Sequence, residues 1–150
     1  MKFFTGYSRC FKSLVDLKTH FDQAVKAIKI GSRIDKDKRL FSYEDYALYH
    51  FMELCSREDL KSFCHPSVLT LADYDRRNKT DYVKSLFESI SNEKGKVGSA
   101  RALHIHRNTM NYRMSKIREI MGVNLNDRKK LFHIYFSLLI LEYIGEVELV

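Results

Sequence analysis

Apolar residues recur at helical spacing over most of the chain, and the exceptions lie near its start. From Phe11 to about Ile30 they fall three or four positions apart, and Gly31 follows as a stop. The segment before this helix, Lys2 to Tyr7, has the aromatic content of a strand, and Arg39 to Tyr43 is a candidate second strand. From residue 44 onward the pattern is helical. The sequence therefore predicts a mainly α chain that opens with a small strand–helix–strand piece.

The second half of the chain has the pattern helix, helix, turn, helix, helix. Thr80 is a plausible N-cap for the first of these, and a break over residues 92–96 precedes a short second helix. Residues 104–106 form the turn, with Ile105 as its apolar plug, and the third helix covers residues 107–121 before Gly122. A short helix, a tight turn and a longer basic helix together predict a helix-turn-helix. The inward positions of the third helix are spaced four, three and four apart: Met110, Met114, Ile117 and Met121.

These elements divide the chain into three predicted parts. Residues 1–43 are the strand–helix–strand piece, residues 44–78 a helical connector, and residues 79–150 the helix-turn-helix domain. The last helix is apolar on two faces and therefore needs two packing partners. One face can cover the helix-turn-helix, and the other can meet either the N-terminal helices or a second subunit. Because two-fold operators favour dimers, we expect a homodimer.

The positive charge of the chain is concentrated in one segment. Lys and Arg number 26 against 19 Asp and Glu, which gives a net charge of +7. Seven of the cations lie between Lys94 and Arg118, a segment without any Asp or Glu. Such a local excess is typical of a surface that binds a polyanion, either nucleic acid or a membrane face. The membrane alternative requires a wide apolar face beside the cations, whereas the third helix offers only a narrow Met/Ile stripe.

The N-terminal part of the third helix carries side chains suited to a DNA groove. Arginine can bond guanine and asparagine can bond adenine through two hydrogen bonds each, whereas hydroxyls and cations suit phosphates. The predicted base-edge residues are His106, Arg107, Asn108 and Asn111. The predicted phosphate contacts are Thr109, Tyr112, Arg113 and Lys116.

Residues 100–117 closely resemble the C-terminal helix-turn-helix of PucR/CdaR-type bacterial transcription regulators. The family string A-x-x-L-x-I-H-R-N-T-x-x-Y-R-x-x-K-I is matched at eleven positions. Residues 4–8, 21–27 and 43–46 are similar to the last strand–helix–strand of a GGDEF-like module, although the string GGDEF itself is absent and no cyclase activity is implied. The resemblance implies sequence-specific binding to a double-stranded DNA operator and control of a nearby catabolic operon. It also implies that a small-molecule effector acts only through an N-terminal sensor that these 150 residues do not contain.

Other classes of function find little support. We expect no enzyme, cofactor or metal site, because no phosphate-binding glycine loop is present and the acidic pair Asp73 and Asp75 is better suited to caps or solvated charges. The longest strongly apolar stretch, Leu131 to Leu141, has 11 residues and contains His133 and Ser137, so it is too short to span a bilayer. Three cysteines without a CxxC pair suggest buried side chains in a reducing cytoplasm. The rival hypothesis is a protein-interaction or dimerisation module whose helix-turn-helix does not bind DNA.

Overall fold

The computed structural model describes residues 3–92 and 95–149, and its side chains are described except at 95–97. The chain forms two compact units, Met1–Ser56 and Arg57–Val150. The described part holds eight α-helices, a short 3-10 helix and one two-stranded sheet, so the mainly α fold class is confirmed. The boundary between the units lies within the predicted connector 44–78, and the three-part division of the chain stays a prediction.

The first unit is a strand–helix–strand piece followed by one more helix. Its elements are β1 (Thr5–Tyr7), the 3-10 helix Leu14–Asp16, α1 (Leu17–Ile34), β2 (Leu40–Ser42) and α2 (Tyr43–Met52). The two strands run parallel, with Gly6 opposite Phe41. A parallel pair needs a crossover, which α1 supplies. The predicted strand–helix–strand order is therefore confirmed, while the likeness to a GGDEF-like module stays a prediction.

The prediction that Gly31 ends the first helix is wrong. The helix continues to Ile34, and Gly31 is buried inside it. A Cβ at this position would lie 2.2 Å from Cδ1 of Phe41, whose ring is fully buried. The glycine thus permits the close approach of α1 to β2 and does not serve as a stop. The start of the helix was also predicted too early, because residues 14–16 form the 3-10 turn before it.

The second unit is entirely helical in its described part. Its helices are α3 (Arg57–Phe63), α4 (Pro66–Asn78), α5 (Tyr82–Ser91), α6 (Gly95–Ala102), α7 (Arg107–Met121) and α8 (Arg128–Tyr143). α4 packs against α5, α7 and α8, α5 and α6 both pack against α7, and α8 also contacts α3 and α5. His65 is the N-cap of α4, and Pro66 is its first residue, a position that suits proline because no backbone N–H is needed there.

The N-terminus of α5 is capped from a distance, so the predicted N-cap at Thr80 is wrong. The helix begins at Tyr82, and the Asp75 carboxylate on α4 accepts the backbone N–H groups of Tyr82 at 3.0 Å and Val83 at 2.8 Å. The Thr80 hydroxyl also donates to Asp75. The Asp75 carboxylate therefore links α4 to α5, and the predicted capping role of Asp75 is confirmed.

One further expectation falls partly outside the described residues, and another is corrected by the structure. The predicted break at residues 92–96 falls partly on residues 93 and 94, which lie outside the described residues, and α6 already includes Gly95. Only Cys64 of the three cysteines is buried, whereas Cys55 is half-buried and Cys10 is exposed.

Candidate nucleic-acid interface

The turn between α6 and α7 is closed by backbone hydrogen bonds from its first residues. The N–H of Ile105 donates to the carbonyl of Ala100 at 2.9 Å, and that of His104 donates to Arg101 at 3.0 Å. His104 adopts a left-handed conformation, with φ of 53°. This conformation lets the chain reverse directly after α6. The predicted turn at residues 104–106 is confirmed.

Both ends of α7 are fixed by local contacts, and its predicted bounds of 107 and 121 are confirmed. At the start, the imidazole Nδ1 of His106 accepts the backbone N–H of Asn108 at 3.2 Å. At the end, Gly122 adopts a left-handed φ of 61° and donates its N–H to the carbonyl of Arg118 at 3.0 Å. The His106 ring therefore has a capping role that the sequence did not predict.

The apolar stripe of α7 holds the helix against the rest of the unit. Met110, Met114, Ile117 and Met121 are all buried, as predicted. The helix packs through this face on α4, α5 and α6. Its opposite face is left to solvent. The predicted DNA contacts that are exposed there or at the helix start are His106, Arg107, Asn108, Thr109, Asn111 and Tyr112.

Arg113 differs from these residues because it faces its own protein. Its Nη1 donates to the hydroxyl of Ser85 on α5 at 2.9 Å, and that hydroxyl donates to the carbonyl of Asp81 at 2.8 Å. Ser85 is fully buried. The guanidinium thus connects α7 to the first turn of α5. A phosphate contact by its remaining N–H groups stays a prediction.

Lys116 is half-buried and lies among polar and aromatic neighbours. Its Nζ donates to Glu119 Oε2 at 2.8 Å. This hydrogen bond and the carboxylate charge raise the pKa of Lys116, with smaller contributions from the phenols of Tyr112 and Tyr74. Tyr82 lies in the same neighbourhood, and its pKa is raised mainly by burial. Lys116 remains protonated at neutral pH and can act as a cationic contact.

Only some of the cations in the basic segment, residues 94–118, have described side chains. Lys94 and the side chain of Lys96 lie outside the described residues. Arg101, Arg107 and Arg118 are exposed, whereas Arg113 and Lys116 are half-buried. The structure thus presents exposed cations on α6 and at both ends of α7.

The comparison with protein families matches part of the second unit. The profile of the PucR C-terminal helix-turn-helix domain matches residues 83–140. Over these residues the chain is similar to that domain. The match extends from α5 to α8, so the resemblance found in residues 100–117 is confirmed. Arg107, Asn108 and the other predicted contacts of α7 all lie within the matched residues.

Three relatives from Bacillus subtilis (strain 168) extend the similarity to most of the chain. The DNA-binding transcriptional activator AdeR is 26% identical over 89% of this chain and 32% of its own length. The proline-responsive transcriptional activator PutR is 21% identical over 93% of the chain and 34% of its own length. The purine catabolism regulatory protein is 24% identical over 89% of the chain and 25% of its own length. These relatives are named as regulators, not enzymes.

The matched part is a quarter to a third of these relatives' length. No solved structure gave a significant match. Within the described part of the chain, no helix is both long and apolar enough to cross a membrane. The same residues contain no group of three or more His, Cys, Asp or Glu placed to hold a metal ion.

Proposed function

We propose that this chain is the DNA-binding end of a bacterial transcription regulator that reads a specific operator sequence with α7 in the major groove. One observation carries the proposal: α7 buries its Met/Ile stripe and leaves Arg107, Asn108 and Asn111 in solvent. A recognition helix needs this division, because its inner face must be rigidly held while its outer face is free for base edges.

The contacts divide by chemistry and by position on α7. His106, Arg107, Asn108 and Asn111 are proposed to meet base edges. Hydroxyls and cations of the same helix are proposed to hold the register on the phosphates. The proposed phosphate contacts are Thr109, Tyr112, Arg113 and Lys116, of which Arg113 must reach DNA while it keeps its hydrogen bond to Ser85.

The target is proposed to be a catabolic operon near the gene of this protein, controlled in response to a small molecule. The names of two relatives, one proline-responsive and one a purine catabolism regulator, support this class of target. Since the relatives are three to four times longer than their matched parts, the effector is proposed to act through sequence outside these 150 residues.

A homodimer is proposed as the DNA-binding form, with the outer face of α8 as its contact. Phe132 is 66% exposed and stacks on Phe136, and Phe63 of α3 is 53% exposed beside them. Exposed aromatic clusters of this kind favour protein contacts. Light scattering of Phe132→Asp beside the unmodified chain tests this contact: a monomeric variant of a dimeric parent supports it, and an unchanged dimer contradicts it.

The alternative is a protein-interaction or dimerisation module that does not bind DNA. Loss or reversal of charge on α7 would favour it, and the exposed Arg107 and Arg118 argue against it. Fluorescence anisotropy distinguishes the two hypotheses. Binding of the chain is measured on a duplex from its own upstream region and on a scrambled duplex, each across a salt series. Preference for the native duplex, with affinity falling steeply in salt, supports operator recognition. No binding to either duplex at low salt favours the interaction module.

A further inference from the structure

α4 packs directly against α7, and the last turn of α4 precedes the matched residues 83–140. Tyr74 on α4 stacks on Tyr82 at 5.8 Å between ring centroids, with the planes only 12° apart. The raised pKa of Lys116 includes small contributions from Tyr74 and Tyr112, so both phenols lie near its ammonium group. The C-terminal turn of α4 therefore adjoins the part of α7 that carries the exposed Tyr112 and the proposed phosphate contact Lys116.

Three cations are exposed at this end of α4: Arg76, Arg77 and Lys79. Arg77 follows Tyr74 by three residues, which places the two side chains on one helix face. Both line a surface groove on α4, together with Thr70, Asp73 and Asn78. Lys79 ends the helix in a left-handed conformation and is exposed, as is Arg77. Among the ion pairs of the described residues, none includes Arg77 or Lys79.

The two carboxylates of the same turn are already engaged. Asp73 is paired with Arg76 at 2.7 Å. Asp75 accepts the first N–H groups of α5 and the hydroxyl of Thr80. Because these acids have partners within the protein, the groups of this turn that remain available to an external anion are Arg77 and Lys79.

We propose that Arg77 and Lys79 bind the DNA phosphate backbone at the edge of the major groove that α7 enters. The proposal rests on the DNA-binding function proposed above and adds a contact outside the family's matched residues. A contact on each side of a recognition helix fixes its register, because phosphates hold position without carrying sequence information. The α4–α5 junction is well suited to this task, since Asp75 fixes α4 to the start of α5.

Salt-dependent binding of the full 150-residue chain tests the contact. The variants are Arg77→Gln and Lys79→Gln, measured by anisotropy on the native upstream duplex and on a scrambled duplex. Each lost phosphate contact should make the slope of log affinity against log salt shallower by about 0.9, equally for both duplexes. Arg77→Lys should keep the slope, which separates charge from packing. Circular dichroism checks that every variant is folded.

Lys84 supplies the matched control. It lies on α5 in a different groove that is lined, among the described residues, by four carboxylates, Asp75, Asp81, Glu146 and Glu148, whereas Asp73 is the one carboxylate that lines the groove of Arg77. Lys84→Gln removes the same charge from the same unit and should leave the slope unchanged. If Lys84→Gln reduces the slope as much as Arg77→Gln does, the effect is that of net charge, and the proposed contact is overturned.

The outcomes separate this proposal from the one on which it rests. Salt-sensitive binding with unaltered slopes in Arg77→Gln and Lys79→Gln overturns the α4 contact and leaves operator recognition by α7 intact. A loss confined to the native duplex also overturns it, because Arg77 would then read bases. Absence of binding by the unmodified chain at low salt contradicts the DNA-binding function itself. Ethylation interference gives an independent check: a phosphate whose ethylation blocks the unmodified chain should become neutral for Arg77→Gln.

Discussion

Arg113 and Ser85 are joined by a hydrogen bond of 2.9 Å between the guanidinium Nη1 and the serine Oγ. The residues lie 28 positions apart and belong to α7 and α5. Ser85 is fully buried, and its hydroxyl in turn donates a hydrogen bond to the carbonyl of Asp81. A residue expected from its sequence position to contact DNA is thus also part of the packing that orients α7.

Replacement of Arg113 should therefore reduce stability in the absence of DNA. A hydrogen bond between a charged donor and a buried acceptor contributes about 1.5–3 kcal/mol, so Arg113→Ala should lose an amount near the lower end because the arginine is half-buried. Arg107→Ala, at an exposed position, should change the free energy of unfolding by less than about 0.5 kcal/mol. Urea unfolding of both variants measures the difference. Equal stability of Arg113→Ala and the unmodified chain would show that this bond contributes nothing to folding.

Arg107 should act on DNA affinity instead. Its exposure at the first position of α7 places it where a recognition helix meets base edges. Arg107→Ala should weaken binding to the native duplex by about 1–3 kcal/mol and relax the preference at one base pair. Anisotropy on single-base variants of the native duplex measures both effects. An unchanged affinity for native and scrambled DNA would contradict the proposed orientation of α7.

Lys116 should contribute to affinity without regard to sequence. Lys116→Ala should weaken binding to native and scrambled duplexes alike and lower the salt slope by about one. The ion pair with Glu119 offers a matched test, because Glu119→Gln frees the ammonium and should strengthen binding to both duplexes. A loss limited to the native duplex in Lys116→Ala would instead place this residue among those that read bases.

Local signals explain which parts of this structure were predictable. The end of α7 follows from Gly122 directly after it, and its buried stripe follows from periodicity. The cap of α5 was mispredicted because its acceptor, Asp75, lies on the preceding helix. Gly31 was misinterpreted for the same reason: its role depends on a ring that arrives from β2. The inward bond of Arg113 likewise depends on α5, which no pattern within α7 contains.

Asp75 should be important for the stability of the second unit. Its carboxylate accepts two backbone N–H groups and one hydroxyl, and an asparagine has only one oxygen with which to replace it. Asp75→Asn should lower the free energy of unfolding by about 1–2 kcal/mol. The matched control is Asp73→Asn on the same helix, where the exposed ion pair with Arg76 contributes at most about 1 kcal/mol. If the two variants unfold at the same urea concentration, the cap between α4 and α5 contributes no more to stability than the exposed ion pair does.

Acidification should destabilise the second unit through the N-cap of α4. The His65 Nδ1 accepts the backbone N–H of Ser67 at 3.2 Å, which requires the neutral imidazole. Burial lowers the pKa of His65, and the nearby His133 and Lys130 lower it further. The folded state therefore resists protonation more than the unfolded chain does. The contribution of His65 to stability is fully present above its ordinary pKa of about 6.5 and is lost as the pH falls through the lowered value.

Urea unfolding at a series of pH values measures this loss of stability. His65→Asn should keep a cap that does not titrate and should show a weaker dependence on pH. An equal dependence in both proteins would assign the effect to other groups.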